Sequence, residues 1–249
     1  MFSQDLIITT YNSQDHIKEL NKQINYLKNF FEKIIIIDDC SCDNTIEHLK
    51  NKIDKNIVLL KNKSNMGPSF CRNLGAKFSN SDYISFLDSD DIFSKQKYNI
   101  IKSFCDIYKP DILFHDYKII KKRKFNTKKE SYKFKIQKNY KFLFKSIYVT
   151  PAFTIKRQIF LKENGYNEKI RYAEDLELYI RLREKYFFYF LDIPLVGIYK
   201  TSTSQSSNRR KMRLNIMKIL LKKISKLNFL SFLLIISFSI NLCKFLINR

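Results

Sequence analysis

Residues 86–91 read Phe-Leu-Asp-Ser-Asp-Asp, so two apolar residues run directly into three carboxylates within four positions. Residues 83–87 are rich in strand-forming types, which predicts a short strand with the acidic group at its carboxyl end. Open α/β sheets bind their ligands at that end of the strands. Because carboxylates repel one another and resist burial, the cluster indicates a bound cation, and hard oxygen donors favour Mg²⁺ or Mn²⁺. A solvated acidic turn is the alternative reading of this stretch.

Strands and helices alternate through the first hundred residues. The predicted strands cover 6–10, 33–37 and 57–60, and the predicted helices cover 17–31, 69–78 and 95–108. This alternation is typical of an α/β fold with a mostly parallel sheet and right-handed crossovers. The second strand also ends in carboxylates, Asp38 and Asp39, so we expect two acidic strand ends at one edge of the sheet.

The composition fits one domain with an appendage and a partner that tolerates positive charge. The chain has 249 residues, with 46 Lys and Arg against 24 Asp and Glu, a net charge of +22. Nucleic acid, an anionic membrane face and phosphorylated small molecules are all compatible with that charge. Five cysteines without a CxxC pair or zinc-type spacing predict reduced thiols and a cytoplasmic setting, and no secretory signal peptide is visible.

The C-terminal region changes character at Arg209. Apolar residues recur there at helical spacing between Lys and Arg, and 229–242 is almost wholly apolar. That run is shorter than the roughly 20 residues of a spanning helix, so it predicts interfacial anchoring on an anionic membrane surface. Docking on a second subunit, which would make a homodimer, is the alternative.

Five short motifs together resemble the family 2 glycosyltransferases, which are inverting enzymes of the GT-A fold that use nucleotide-diphosphate sugars. The motifs are Ile-Ile-Thr-Thr-Tyr-Asn at 7–12, Asp-Asp-Cys-Ser-Cys-Asp-Asn-Thr at 38–45, Asn-Met-Gly at 65–67 with Arg-Asn-Leu-Gly at 72–75, the acidic stretch at 86–91, and Glu-Asp at 174–175. They follow the family's order and separations over about residues 5 to 200. The resemblance implies an enzyme of bacterial surface-glycan synthesis.

The resemblance assigns the nucleotide site to the ends of the first strands. It implies that Thr9 and Tyr11 line the pocket, with the Tyr11 ring packed on the base, and that Asp39 accepts the imide hydrogen of a uracil. A UDP-sugar is therefore the expected donor. Gly67 would let the backbone pass closely under the nucleotide, and Arg72 would balance charge near the base or Asp39.

The resemblance also assigns the reacting groups. Asp88, with Ser89, is expected at the ribose, and Asp90 is expected to hold Mn²⁺ or Mg²⁺ against both phosphates. Asp91 would cap the next helix or orient a metal ligand. Asp175 matches the catalytic base and Glu174 is the second candidate, with first-turn capping of a helix as the ordinary alternative.

The chain departs from the family pattern in two places. Many relatives carry a Tyr-Arg-x-His run, whereas residues 199–202 read Tyr-Lys-Thr-Ser, and the loss of the His predicts weaker metal dependence. There is no Gln-x-x-Arg-Trp motif and no Trp, which disfavours a processive synthase.

The resulting prediction is a GT-A domain over 1–205, with a nucleotide-binding half at 1–110 and an acceptor half at 111–205, followed by a helical tail at 206–249. It would transfer one hexose or N-acetylhexosamine to a lipid-linked, lipooligosaccharide or capsule glycan, on the inner face of the bacterial inner membrane. A nucleotidyltransferase is the rival enzyme, although no Gly-rich loop follows the first strand. A basic nucleic-acid-binding protein is the rival outside enzymes, but its charge should line one groove with stacking aromatics, so we expect no nucleic-acid partner.

Overall fold

A computed structural model describes residues 2–121, 124–125, 134–135, 149–199, 209–223 and 236–242. The described strands form one nine-stranded sheet, in the order β3-β2-β1-β4-β8-β6-β9-β5, with β7 paired to β9. The fold is the predicted α/β class.

The first half of the sheet is parallel. Its strands are β1 (Gln4–Thr10), β2 (Ile34–Asp38), β3 (Ile57–Lys61) and β4 (Tyr83–Asp88), and its helices are α1 (Ile17–Leu27), α2 (Thr45–Lys50) and α3 (Pro68–Phe78). In this register Thr9 lies opposite Asp88, and Thr10 lies opposite Asp38. The two acidic strand ends therefore share one edge, as predicted.

The second half of the sheet is mixed. Its strands are β5 (Ile92–Phe93), β6 (Ile112–Ile120), β7 (Phe134–Lys135), β8 (Phe153–Lys156) and β9 (Phe188–Tyr199), and its helices are α4 (Lys97–Tyr108), α5 (Arg157–Lys162) and α6 (Glu174–Arg183). Strand β8 lies antiparallel between β4 and β6. Strand β9 is continuous, and its register against β6 shifts on either side of Asp116, which accommodates its extra residues.

Close packing of α3 on the sheet requires a glycine. A Cβ on Gly75 would lie 2.5 Å from Ile7 Cγ2 and 3.0 Å from Ile37 Cδ1. These distances are too short for a side chain, so only glycine fits at this position. The buried residues of α3 thus sit directly on β1 and β2, and this fixes the position of the Arg72 side chain one turn earlier.

The helix α7 (Arg209–Lys223) packs against the domain rather than away from it. Its residues Ile219 and Leu220 belong to the core cluster that contains Phe114, Phe153 and Tyr179. Phe238, in a short helix over 236–242, packs against the same cluster. The predicted apolar run at 229–242 lies partly outside the described residues, and none of the helices within them is both long and apolar enough to cross a membrane.

Candidate active site

The turn after β2 is built by Asp38. Its Oδ1 accepts a hydrogen bond from the Ser41 backbone N–H (2.8 Å), and its Oδ2 accepts from the hydroxyls of Ser41 (2.5 Å) and Thr10 (3.1 Å). Asp38 is fully buried, and both oxygens of its carboxylate accept hydrogen bonds that stabilise this edge of the sheet. The neighbouring Asp39 is left as the carboxylate that faces the next loop.

Asp39 organises the loop that leads into α3. Its Oδ1 accepts from Asn62 Nδ2 (2.8 Å) and the Met66 backbone N–H (2.8 Å), and its Oδ2 accepts from the Gly67 backbone N–H (2.7 Å). Gly67 has φ of 89°, and a Cβ there would have no heavy atom within 4 Å. The glycine is thus needed for its backbone conformation, and the space above it stays open.

Tyr11 projects from the loop after β1. Its side chain is 51% exposed, while the following residues are tied down: the Asn12 N–H donates to Ser41 Oγ (2.9 Å), and Ser13 Oγ lies 2.7 Å from Ser89 Oγ. An open ring on a fixed loop can offer a stacking face to a flat ligand. Ser89, predicted beside the nucleotide, joins this loop to the acidic stretch.

Arg72 is buried and joins the two acidic motifs. Its Nη2 donates to Asp88 Oδ1 (2.8 Å) and its Nη1 donates to Glu174 Oε1 (3.0 Å), while its guanidinium carbon lies 5.3 Å from the centroid of the Tyr166 ring. Thr9 Oγ1 also donates to Asp88 Oδ1 (3.0 Å). The sequence interpretation placed Arg72 near the base or Asp39, and it gave no role to Tyr166. The Gly165-Tyr166 turn was visible in the sequence, but nothing there signalled that it folds beneath α3.

Asp175 lies in the first turn of α6, directly after a residue with a strained backbone conformation. Ala173 has φ of 59°, in the left-handed region that an alanine rarely adopts, and Glu174 begins α6 directly after it. Burial, followed by the nearby charge of Glu174, raises the pKa of Asp175 from an ordinary value of 3.8 to about 7. A carboxylate with this pKa can accept a proton near neutral pH.

The acidic stretch contains one structural carboxylate. Asp91 is buried and its Oδ1 accepts from the Tyr199 backbone N–H (3.0 Å), so it anchors β9. It does not cap α4, which begins only at Lys97. Burial and the nearby charges of Asp90 and Asp88 raise the pKa of Asp91 well above its ordinary value.

A hard cation fits this crowding of carboxylates. Within the described part of the chain, no three His, Cys, Asp or Glu side chains come together as a metal-binding group. The residues present fit a different arrangement, in which one protein carboxylate and the oxygens of a phosphate would hold Mg²⁺ together. The excess negative charge beside Asp90 is the feature that such an ion would neutralise.

A cavity of about 310 Å³ brings the two acidic motifs together. Asp88 lines it from the end of β4 and Asp90 from the turn that follows, Glu174 and Asp175 line it from α6, and Arg72 lies between them. Three further lining residues, Arg171, Tyr172 and Met212, were missed by the sequence analysis. A larger cavity, of about 440 Å³, lies among Phe2, Tyr83 and Arg157 at the other end of β4 and contains none of the predicted site residues.

Residues 5–163 match the family described as Glycosyl transferase family 2, and the chain belongs to that family. It is 32% identical over 119 residues to the poly(ribitol-phosphate) β-N-acetylglucosaminyltransferase TarS of Staphylococcus aureus, a match that covers 45% of this chain and 20% of TarS. It is 38% identical over 117 residues to the minor teichoic acid biosynthesis protein GgaA of Bacillus subtilis, covering 43% of this chain and 25% of GgaA. The chain thus spans no more than a quarter of either relative.

The fold is similar to that of a solved structure of TarS residues 1–349 in complex with UDP-GlcNAc. The TM-score is 0.73 at 20% identity, and the alignment covers 97% of this chain and 72% of that one. This likeness establishes the GT-A architecture, a mostly parallel sheet flanked by helices.

Proposed function

We propose that the protein is an inverting glycosyltransferase that moves a sugar from a UDP-sugar to a hydroxyl of a surface glycan. The observation that carries the proposal is the ion-pair bridge of Arg72, which holds Asp88 at the nucleotide edge and Glu174, beside Asp175, around one cavity. A donor bound at the strand ends would then present its anomeric carbon toward the carboxylate that activates the acceptor.

The donor side is assigned to the strand ends. Tyr11 supplies an exposed ring for the base, and Asp39 supplies an acceptor for the uracil imide while it holds the loop at Gly67. Thr9 and Asp88, joined by a hydrogen bond, face the ribose together with Ser89. The UDP-GlcNAc complex of TarS, whose fold this chain shares, supports a UDP-sugar as the donor class.

Asp90 would hold a divalent cation, Mn²⁺ or Mg²⁺. Such an ion, when bound, stabilises the negative charge that develops on a departing diphosphate. Arg72 acts on the same side, because its guanidinium binds Asp88 and holds it in place at the end of β4.

Asp175 is the proposed general base. Its carboxylate takes the proton from the acceptor hydroxyl as that oxygen bonds to the anomeric carbon and the bond to the diphosphate breaks on the opposite face, so the configuration inverts. Arg72 binds Glu174, which leaves Asp175 as the carboxylate of the pair without an ion-pair partner among the described contacts. Its raised pKa suits proton transfer near neutral pH.

The acceptor is proposed to be a cell-surface glycan, lipid-linked or polymeric. TarS, a poly(ribitol-phosphate) β-N-acetylglucosaminyltransferase, and GgaA, a minor teichoic acid biosynthesis protein, support this class. The outward face of α7 carries exposed Arg210, Lys211, Lys218 and Lys222 beside exposed Leu214 and Leu221. That mixture would bind the anionic cytoplasmic leaflet peripherally, which would bring the site to an acceptor held in the membrane.

Calorimetric titration with UDP, GDP and CDP, each with Mn²⁺ or with EDTA, tests the proposal. We expect UDP to bind best and the metal to strengthen its binding, and we expect slow hydrolysis of a UDP-sugar in the absence of acceptor. Binding of none of the three nucleotides would refute the assignment of a UDP-sugar. A salt-sensitive shift with plain DNA in the same preparation would favour the nucleic-acid-binding alternative.

A further inference from the structure

The helix α7 forms part of the wall of the catalytic cavity. Met212, in its first turn, lines the cavity together with Arg171 and Tyr172, which lie just before α6. Asn215 Nδ2 donates to the Tyr172 carbonyl oxygen (3.5 Å), and Ile219 and Leu220 bury the following turn in the core. We call Arg171, Tyr172 and Met212 the α7 rim. The rim is therefore held in place from two elements of the chain.

The charges around the cavity are unevenly distributed. Carboxylates of the acidic stretch and of α6 line its interior, and the guanidinium of Arg72 is already bound to two of them. Arg171, in contrast, is an exposed residue at the cavity wall, and the sequence around Met212 is basic, with Arg210, Lys211 and Arg213. An anionic group that no metal ion neutralises would be repelled by the interior and attracted by the rim.

We propose that the α7 rim binds a phosphate group of the acceptor, so that the enzyme selects acceptors that carry a phosphate near the hydroxyl to be glycosylated. A guanidinium presents paired N–H donors that match phosphate oxygens, and Tyr172 and Met212 supply an apolar surface for the attached polyol or sugar. The proposal rests on the proposed glycosyl transfer and adds the chemical class of its acceptor.

The cavity has different residues for the phosphate and for the hydroxyl of such an acceptor. Arg171 and Asp175 lie four positions apart in the same segment and line the same cavity of about 310 Å³, a volume that suits one sugar or polyol unit. A phosphate at the rim would leave the hydroxyl of the attached unit directed toward Asp175. The phosphate can belong to the backbone of a polyol-phosphate polymer or to the diphosphate of a lipid carrier, since Arg171 would bind both in the same way.

The test compares a charged and an uncharged acceptor fragment. The full-length protein, saturated with UDP and Mg²⁺, is titrated calorimetrically with glycerol 3-phosphate and with glycerol. Wild type should bind glycerol 3-phosphate at least about tenfold more tightly than glycerol. Arg171→Glu should weaken glycerol 3-phosphate binding about tenfold or more, whereas Lys169→Glu, the same charge change at an exposed residue two positions away, should not.

A second pair of variants tests the contribution of α7. Met212→Glu should weaken glycerol 3-phosphate binding, whereas Leu214→Glu, which adds the same charge to the exposed face of α7, should leave it unchanged. Equal binding of glycerol and glycerol 3-phosphate by wild type, or equal effects of each variant and its control, would overturn the proposal. Retained UDP affinity in all four variants would show that the donor site is intact. A loss of glycerol 3-phosphate affinity would then concern the rim alone and would be distinguishable from failure of the transferase assignment.

A third arm identifies the source of the phosphate. Sedimentation with phosphatidylcholine vesicles that contain a polyprenyl phosphate is compared with sedimentation with phosphatidylcholine vesicles alone. Arg171-dependent binding to the first vesicles would assign the rim to a lipid carrier. Arg171-dependent binding of glycerol 3-phosphate without any preference between the vesicles would assign it to a polymer backbone.

Discussion

Arg72 and Glu174 lie 102 residues apart in the chain and form an ion pair of 3.0 Å between Nη1 and Oε1. The other side of the same guanidinium binds Asp88 at 2.8 Å. Arg72 is buried, so each carboxylate depends on it for its counter-charge. The bridge therefore fixes the distance between the donor edge of the sheet and the helix that carries the proposed base.

Removal of this bridge should cost both stability and activity. Arg72→Met is expected to lower the free energy of unfolding by about 2–4 kcal/mol, because it leaves the partly buried Glu174 without its partner. Chemical denaturation measures this loss. If Glu174→Gln is added, the double variant should recover part of it, since the unpaired charge is gone. Strictly additive losses in the two variants would contradict the coupling of these residues.

Asp175→Asn should separate binding from chemistry. The variant keeps the size of the side chain but cannot accept a proton, so we expect UDP affinity within about twofold of wild type and transfer reduced by a factor of about 10² to 10⁴. Glu174→Gln is the matched control at the adjacent carboxylate and should retain more transfer activity. Near-normal turnover by Asp175→Asn would remove Asp175 from the role of base.

The pH dependence of transfer follows from the same residue. Its carboxylate must be ionised to accept a proton, and its pKa of about 7 predicts that kcat/KM rises with pH and reaches half of its plateau near pH 7. Glu174 and Arg72 are the charged groups beside it, so Glu174→Gln should move that midpoint to lower pH by removing a nearby negative charge. An unchanged midpoint in Glu174→Gln would assign the profile to another group.

Asp175 should also make folding less favourable as the pH rises. Its pKa is 3.8 in its ordinary state and about 7 in the fold, so the folded protein binds more protons between these values. The contribution of Asp175 to the free energy of unfolding is therefore greatest below about pH 4 and is lost as the pH rises to about 7. At pH 8 the midpoint temperature of thermal unfolding should therefore be higher for Asp175→Asn than for wild type, by about 2–4 °C for each kcal/mol recovered. The difference in midpoint temperature should be smaller at pH 5.

Tyr11 allows the nucleotide site to be tested without disturbing the fold. Because its side chain is half exposed, Tyr11→Ala should leave thermal stability nearly unchanged. Loss of the stacking ring should weaken UDP binding by about 1–3 kcal/mol. Tyr11→Phe keeps the ring and should bind UDP almost as wild type does, and a large loss in that variant would point to the hydroxyl instead.

Gly75 provides a test of the packing beneath the site. Gly75→Ala places a methyl group 2.5 Å from Ile7 Cγ2, so we expect a loss of about 1–3 kcal/mol in the free energy of unfolding. Lys77→Ala, at an exposed position of the same helix, should change stability little. Denaturant titration of both variants makes the comparison.

Local patterns were enough to predict the parallel first half of the sheet. Apolar runs at β1, β2 and β4 each end in polar residues, and parallel strands bring such ends to one edge, so the closeness of Thr9, Asp38 and Asp88 followed from periodicity and topology.

The rest of the molecule depends on contacts between distant segments, which single-sequence patterns do not encode. The partners of Arg72 come from β4 and α6, and the sequence alone does not distinguish such a buried arginine from one on a surface helix. The apolar positions from Arg209 onward predicted an amphipathic helix, and a periodic pattern does not say what covers the apolar face. Ile219 and Leu220 pack on the protein core.

The insertion of β8 between β4 and β6 has a consequence for protein synthesis. The parallel strands that carry Thr9, Asp38 and Asp88 are complete once residue 88 has left the ribosome, whereas β6 must wait for β8 before it can join the sheet. Pairings between distant segments form slowly because a long loop must close first. A nascent chain can therefore pair β1 to β4 well before it acquires α6, so the proposed nucleotide site would form ahead of the proposed base.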